Sequence, residues 1–186
     1  MSTSRPSTVR GVEVCQNQPD AAGAANDLTI LGNGFFVVRD PSNNTSYVTQ
    51  TGCFNLDAKG YLVTDTGARV QGCTDGALSS LGDIQINATD LPPTSAPGSA
   101  MLCHSIDECG KITVHLSDGS SFLRGQIMLQ NFQEPQALVC EGNRLYSNMS
   151  DAGPLPAFAA PGSNGLGAIQ AGVLEFANAG PMSWPN

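Results

Sequence analysis

Cys103, His104 and Cys109, in the string "CHSIDECG", form the densest group of metal-ligating side chains in the sequence. Two thiols and an imidazole are zinc ligands by type, and a histidine beside a cysteine also raises nucleophilic thiol chemistry. The spacing argues against both. Structural zinc takes ligand pairs two to four residues apart, and the chain has no CxxC and no HxxxH. Neighbouring residues on extended chain leave on opposite faces, so Cys103 and His104 would not meet, and His104 and Cys109 are read as flanking a turn. Asp57 and Asp107 are the next candidates, as a general acid and base. Sugar hydrolysis would set such a pair in an aromatic-lined cleft, yet there is one tryptophan, Trp184, and three tyrosines. GxSxG, P-loop and HExxH strings are absent, and "GNGFFVV" lacks the third glycine of a dinucleotide fingerprint. The expectation is a protein with no catalytic residues, no cofactor and no metal.

Composition points the same way. The chain has 186 residues, with eight Lys and Arg against sixteen Asp and Glu, and a formal net charge of -8. That leaves no basic footprint for phosphates, so nucleic acid is excluded as a partner. Only 13% of residues are charged, while 21 glycines and 12 prolines are present. This is a polar, weakly charged surface of the kind seen in exported and assembled proteins. No apolar run reaches the length that spans a bilayer, and the polar start "MSTSRPSTVRG" has no signal-peptide core, so neither a membrane partner nor a cleaved leader is expected. Six cysteines allow fifteen disulfide pairings, but a chain with 40% hydrophobic residues can build its own core. Free or partly paired thiols are expected.

The elements that would carry these residues read as strands almost throughout: "FFVVRD", "TSYVTQTG", "CFNLD", "GYLVTD", "ARVQG", "DIQIN", "KITVHLSDG", "SSFLRGQIMLQNF" and "GVLEFA". The fold class is therefore all-β: a single irregular β domain of short antiparallel strands and hairpins, one short helical turn, and long Pro/Ala/Ser-rich loops. In "KITVHLSDG", Ile112, Val114 and Leu116 alternate with polar residues, which points His115 at water. "LDAKGYLV" and "IDECGKIT" share one turn formula. Its aspartates, Asp57 and Asp107, cap the turn, and Gly60 and Gly110 supply a positive φ. That role explains both aspartates without catalysis. "QEPQALVCEGN" has the one helical opening and closing, Pro135 in the first turn and Gly142 after the last helical residue, two turns at most. The Pro/Ser/Ala-rich stretch 91–100 reads as a polyproline-like connector, and 150–167 as a loose surface run.

In "LTILGNGFFVV", Gly32, Asn33 and Gly34 make a bend where positive φ is cheap, and Phe35 and Phe36 then flank the sheet on both faces, one ring for the core and one for a neighbour. The string resembles a signature of bacterial flagellar rod and hook proteins, "L-x-I-x-G-x-G-F-F-x-V". The family's next block is matched by "YVTQTGCFNLDAKGYLVTDTGARVQG", with Gly52, Phe54, Asp57, Gly60 and Gly72 in place. "GQIMLQNFQEPQALVCEGNRLYSN" resembles a third block through Pro135, Gly142, Asn143, Leu145 and Tyr146. "GLGAIQAGVLEFAN" resembles a fourth through Gly172, Leu174, Glu175 and Asn178.

The resemblance implies a structural role in the flagellar axial structure, hook or basal-body rod, by stacking into a helical tube for motility. It implies self and rod or hook neighbours as partners, and an extracytoplasmic place reached by type III export without a cleaved signal peptide. It divides the chain into an N-terminal extended segment 1–27, a β domain 28–178 whose connector 91–110 stands where related proteins insert domains, and a C-terminal tail 179–186. Family members begin and end in heptad-bearing helices that this chain lacks, so the isolated chain is expected to be a monomer or weak oligomer. Six cysteines are unusual for that family. The competing expectation is a secreted, disulfide-bonded binding or adhesion module, to which the sequons "NNT", "NTS", "NAT" and "NMS" would fit.

Overall fold

A computed structural model describes residues 27–87, 91, 95–155 and 158–171. In chain order the strands are β1 (Asp27–Leu31), β2 (Phe35–Arg39), β3 (Ser46–Thr49), β4 (Gly52–Cys53), β5 (Asn55–Leu56), β6 (Leu62–Val63), β7 (Arg69–Cys73) and β8 (Leu81–Asp83). They continue as β9 (Met101–Ile106), β10 (Lys111–Leu116), β11 (Ser121–Ile127), β12 (Leu129–Gln130), β13 (Val139–Gly142), β14 (Leu145–Ser147) and β15 (Ala168–Ala171). The protein is all-β and antiparallel among the described residues, with one 3-10 turn at Pro135–Ala137. The larger sheet runs β13-β14-β3-β2-β7-β11-β10-β9, with β12 on β2, β8 on β7, and the β5–β6 pair joined to β7. A smaller sheet runs β15-β1-β4.

Strand β2 is buried on both faces, which is why its apolar run is continuous rather than alternating. Phe36 and Val38 enter the main core with Phe54, Val70, Ile112, Val114, Ile127 and Ile169. Phe35 and Val37 enter a second core with Val48, Phe132 and Ala152. Both rings are thus internal. The ring expected to meet a neighbour instead packs edge-on against Phe132, 5.6 Å between centroids, with Tyr146 beyond.

The two predicted hairpin turns form and are near copies of each other. Asp57 Oδ1 accepts from the amides of Lys59 and Tyr61, and Asp107 Oδ1 from those of Cys109 and Lys111. Gly60 and Gly110 close them at φ 82° and 76°. Each glycine carbonyl then accepts an amide from outside its own hairpin, Ile86 N at 2.7 Å and Ile127 N at 2.8 Å. The same turn that reverses the chain therefore ties the hairpin to the sheet behind it.

Four expectations are corrected or fall outside the description. The helical segment stops at Ala137, and Gly142 closes strand β13 rather than a helix, because the chain from Val139 onward pairs with β14. The connector 91–110 contains β9, which pairs with β10 from Ile106 to Met101. The run 150–167 is no loose surface loop: Ala159 and Pro154 bridge to Leu129 and Phe132, and Ala152 and Leu166 are buried. The strand expected at "GVLEFA", with segments 1–26 and 179–186, lies outside the described residues.

Candidate functional site

The signature residues converge on a corner where the two flanks of the chain meet. Gly32 and Gly34 have φ of 125° and 131°. An added β-carbon on Gly32 would lie 3.0 Å from Gly167 Cα, and one on Gly34 would lie 3.0 Å from Leu166 Cδ2. Gly167 N donates to Asn33 O at 2.7 Å, and β1 pairs with β15 from Leu28↔Ala171 to Leu31↔Ala168. The bend is therefore both a conformational need and a close backbone approach. Gly52 sits where a β-carbon would come 1.9 Å from Leu28 O, and Gly72 where one would come 2.2 Å from Gln126 O. Phe36 and Phe54 stack edge-on at 5.1 Å beneath this corner.

The third block lies apart, at the β13–β14 edge. Asn143 and Arg144, at φ 48° and 59°, make a two-residue hairpin loop of the primed kind, with Leu145 and Tyr146 half-buried beyond it. Pro135 opens the 3-10 turn. Gly172, Leu174, Glu175 and Asn178 lie outside the described residues. The structure thus sets Gly32, Asn33 and Gly34 against Leu166 and Gly167 at one end of β1 and Gly52 against Leu28 at the other, packs Phe36 on Phe54, holds Asp57, Gly60 and Gly72 within the same sheets, and leaves Pro135 to Tyr146 at the β13–β14 edge.

The residues considered for chemistry are placed as follows. Cys103 and His104 are neighbours on β9, and Cys109 is an exposed thiol in the turn that follows. No group of three metal-ligating side chains occurs among the described residues. Burial, with His115 nearby, pushes the His104 imidazole down. His115 is half-buried rather than fully in water, with Nε2 3.3 Å from Ser105 Oγ. Cys53, Cys73, Cys109 and Cys140 are free thiols, while Cys103 is disulfide-bonded. Burial, then the Asp27 carboxylate, pushes the Cys53 thiol up, and burial does the same for Cys73, so neither is poised as a nucleophile.

One polar cluster was missed in the sequence. Asp83 accepts from Arg39 Nε at 2.9 Å, from Arg39 Nη2, from Arg69 Nη1 at 3.0 Å and from Gln71 Nε2 at 2.7 Å. Arg69 also lies over the Tyr61 ring, 3.9 Å from its centroid. Burial works to raise the Asp83 carboxyl, but the bonds from Arg39, Gln71 and Arg69 outweigh it and hold the group below the usual carboxylate range. The alternation of "ARVQG" carried a usable signal, since Arg69 and Gln71 fall on one face, opposite Val70. That Asp83 would face them needed the β7–β8 register.

Comparison with known proteins gives one consistent answer. The family description "Flagellar hook protein FlgE/F/G D1 domain" matches residues 29–114. The flagellar basal-body rod protein FlgG of Bacillus subtilis is 31% identical over 158 residues, 85% of this chain and 53% of the relative. FlgG of Buchnera aphidicola from Baizongia pistaciae is 30% identical over 89% of this chain and 55% of the relative. The flagellar hook protein FlgE of Escherichia coli is 25% identical over 86% of this chain and 44% of its own length. The chain thus spans about half the length of the curated relatives it matches.

Proposed function

Because the chain belongs to the family of flagellar hook and basal-body rod proteins, we propose that it is a structural component of the flagellar axial structure. It works by stacking against other axial subunits in a helical tube, and not by turning over a substrate. The observation that carries this reading is the family match over residues 29–114, which takes in the glycine corner, the hairpin pair and strands through most of β10. Its place is the flagellum, and its partners are copies of itself and neighbouring rod or hook subunits. The isolated chain is a monomer or weak oligomer.

The secreted disulfide-bonded module loses support from the four free thiols, since such a module would use its cysteines in pairs. A transplant tests the axial reading: residues 27–171 replace the matched segment of the Bacillus subtilis rod relative. Assembled hook–basal bodies and swarming are the expected result. A stable, exported chimera that builds no rod would overturn the reading.

A further inference from the structure

Strand β9 is the last strand of the larger sheet among the described residues. The outer side of an edge strand is a row of backbone donors and acceptors, which proteins blunt with charge, proline, a bulge or a covering segment. β9, "MLCHSI", holds no proline and no lysine, arginine, aspartate or glutamate. Its bulge does not close the edge either, since it leaves Leu102 68% exposed. That leaves a covering segment. Cys103, in the middle of β9, is disulfide-bonded, while Cys53, Cys73, Cys109 and Cys140 are free thiols. The sequence holds six cysteines, so the one left to pair with Cys103 is Cys15.

We propose that Cys15 and Cys103 form a disulfide that fastens segment 11–16, "GVEVCQ", along the outer side of β9. The inference goes beyond the stacking reading and does not rest on it. The chain has the reach. In the turn after β9, Glu108 O accepts from Ile169 N at 2.9 Å, and Ile169 is paired with Ile30 on β1. β1 therefore lies one strand beyond the β9–β10 turn, and the chain from Cys15 to Asp27 can span about 40 Å when extended. A disulfide holds its two Cα atoms within about 7 Å, so the residues on either side of Cys15 run beside β9. Val12 and Val14 alternate with Glu13 and Cys15, so a strand that sets Cys15 level with Cys103 puts both valines on the face of Leu102. The bond forms by thiol–disulfide exchange. The Cys15 thiolate attacks a low-molecular-weight disulfide, the Cys103 thiolate displaces the half that is carried, and the oxidant leaves as two thiols that take up the two protons. An edge covered in this way cannot add a strand from another copy, which removes β9 from the surfaces open to stacking.

Peptide mapping of the full chain, treated with oxidised glutathione and alkylated in denaturant without reduction, tests the pairing. Four alkylated cysteines are expected, rising to six after reduction. Trypsin followed by a protease that cuts at acidic residues separates Cys103 from Cys73 and Cys109, and should yield a peptide linking Cys15 to Cys103. Cys103 alkylated before reduction, or linked to any other cysteine, overturns the proposal. Hydrogen exchange tests the covering. In Cys15→Ser the β9 amides that face away from β10 should exchange at least tenfold faster than in the oxidised wild-type chain, while β2 and β7 amides keep their rates. Reducing the wild-type chain should do the same, which keeps the test valid if the variant misfolds. A linked peptide with unchanged β9 exchange would mean a tether that covers nothing, and overturns the docking of segment 11–16.

Discussion

At residue 52 a β-carbon would stand 1.9 Å from the Leu28 carbonyl oxygen, inside any tolerable contact, so the glycine there is fixed by β1 lying against β4. Gly52→Ala is expected to lower unfolding stability by at least about 3 kcal/mol in urea titration. Gly67→Ala, at φ 83° with open space around it, should cost about 1 to 2 kcal/mol, the backbone penalty alone. Equal losses would mean that close approach is not what Gly52 provides. Asp83 makes the residue-scale case for charge. Its carboxyl is held below its ordinary value, so its contribution is complete at neutral pH and fades as pH falls through the lowered value. Asp83→Asn should cost roughly 1–3 kcal/mol at pH 7, and the gap to wild type should narrow in acid. A gap that is constant down to pH 2 would refute the pairing. Gly32, Gly34, Phe35 and Phe36 were legible in the sequence because permissive backbone beside two rings has few uses. Arg124, which donates from Nη1 to Thr74 O, was not, because its place depends on a bulge in β11 opposite Ile112 and Thr113.

At the scale of elements, the hairpins of Asp57 and Asp107 could be read directly, since the turn chemistry is local: an aspartate, two free positions and a glycine. Strand β9 escaped notice because "MLCHSI" follows a Pro/Ser-rich run and lacks clean alternation, with a bulge near Leu102 breaking its register. The stretch 150–167 misled for a related reason. Prolines and alanines read as loop, whereas isolated bridges to Leu129 and Phe132 hold them against the core, and such bridges leave no periodic trace. Asp118 shows how a connector becomes part of the body. Its carboxylate, at the β10–β11 turn, accepts from Ala96 N, Ser99 Oγ and both Ser120 N and Oγ, and these bonds hold it far below the usual range. Asp118→Ala should release segment 95–100, seen as hydrogen exchange at least tenfold faster for the Ala100 and Ser99 amides while β2 and β7 amides keep their rates. Unchanged exchange there would show that the clasp does not hold the connector.

For the whole molecule, the defining feature is closure of the two flanks: Leu28 from the start and Ile169 from the end share a core with Val38, Val70 and Ile127. Ile169→Ala should therefore destabilise the entire protein by about 2–5 kcal/mol in a single transition, and not merely loosen one end. A body closed in this way is held together by one shared core, which suits the stacking role proposed above. The direct test is helical reconstruction by electron cryomicroscopy of rods purified from the strain carrying the transplanted domain. The account predicts ordered density for residues 27–171 at every subunit position, in contact with the next copy along the helix. Rods that assemble with this domain smeared out, making no repeating contact, would contradict it.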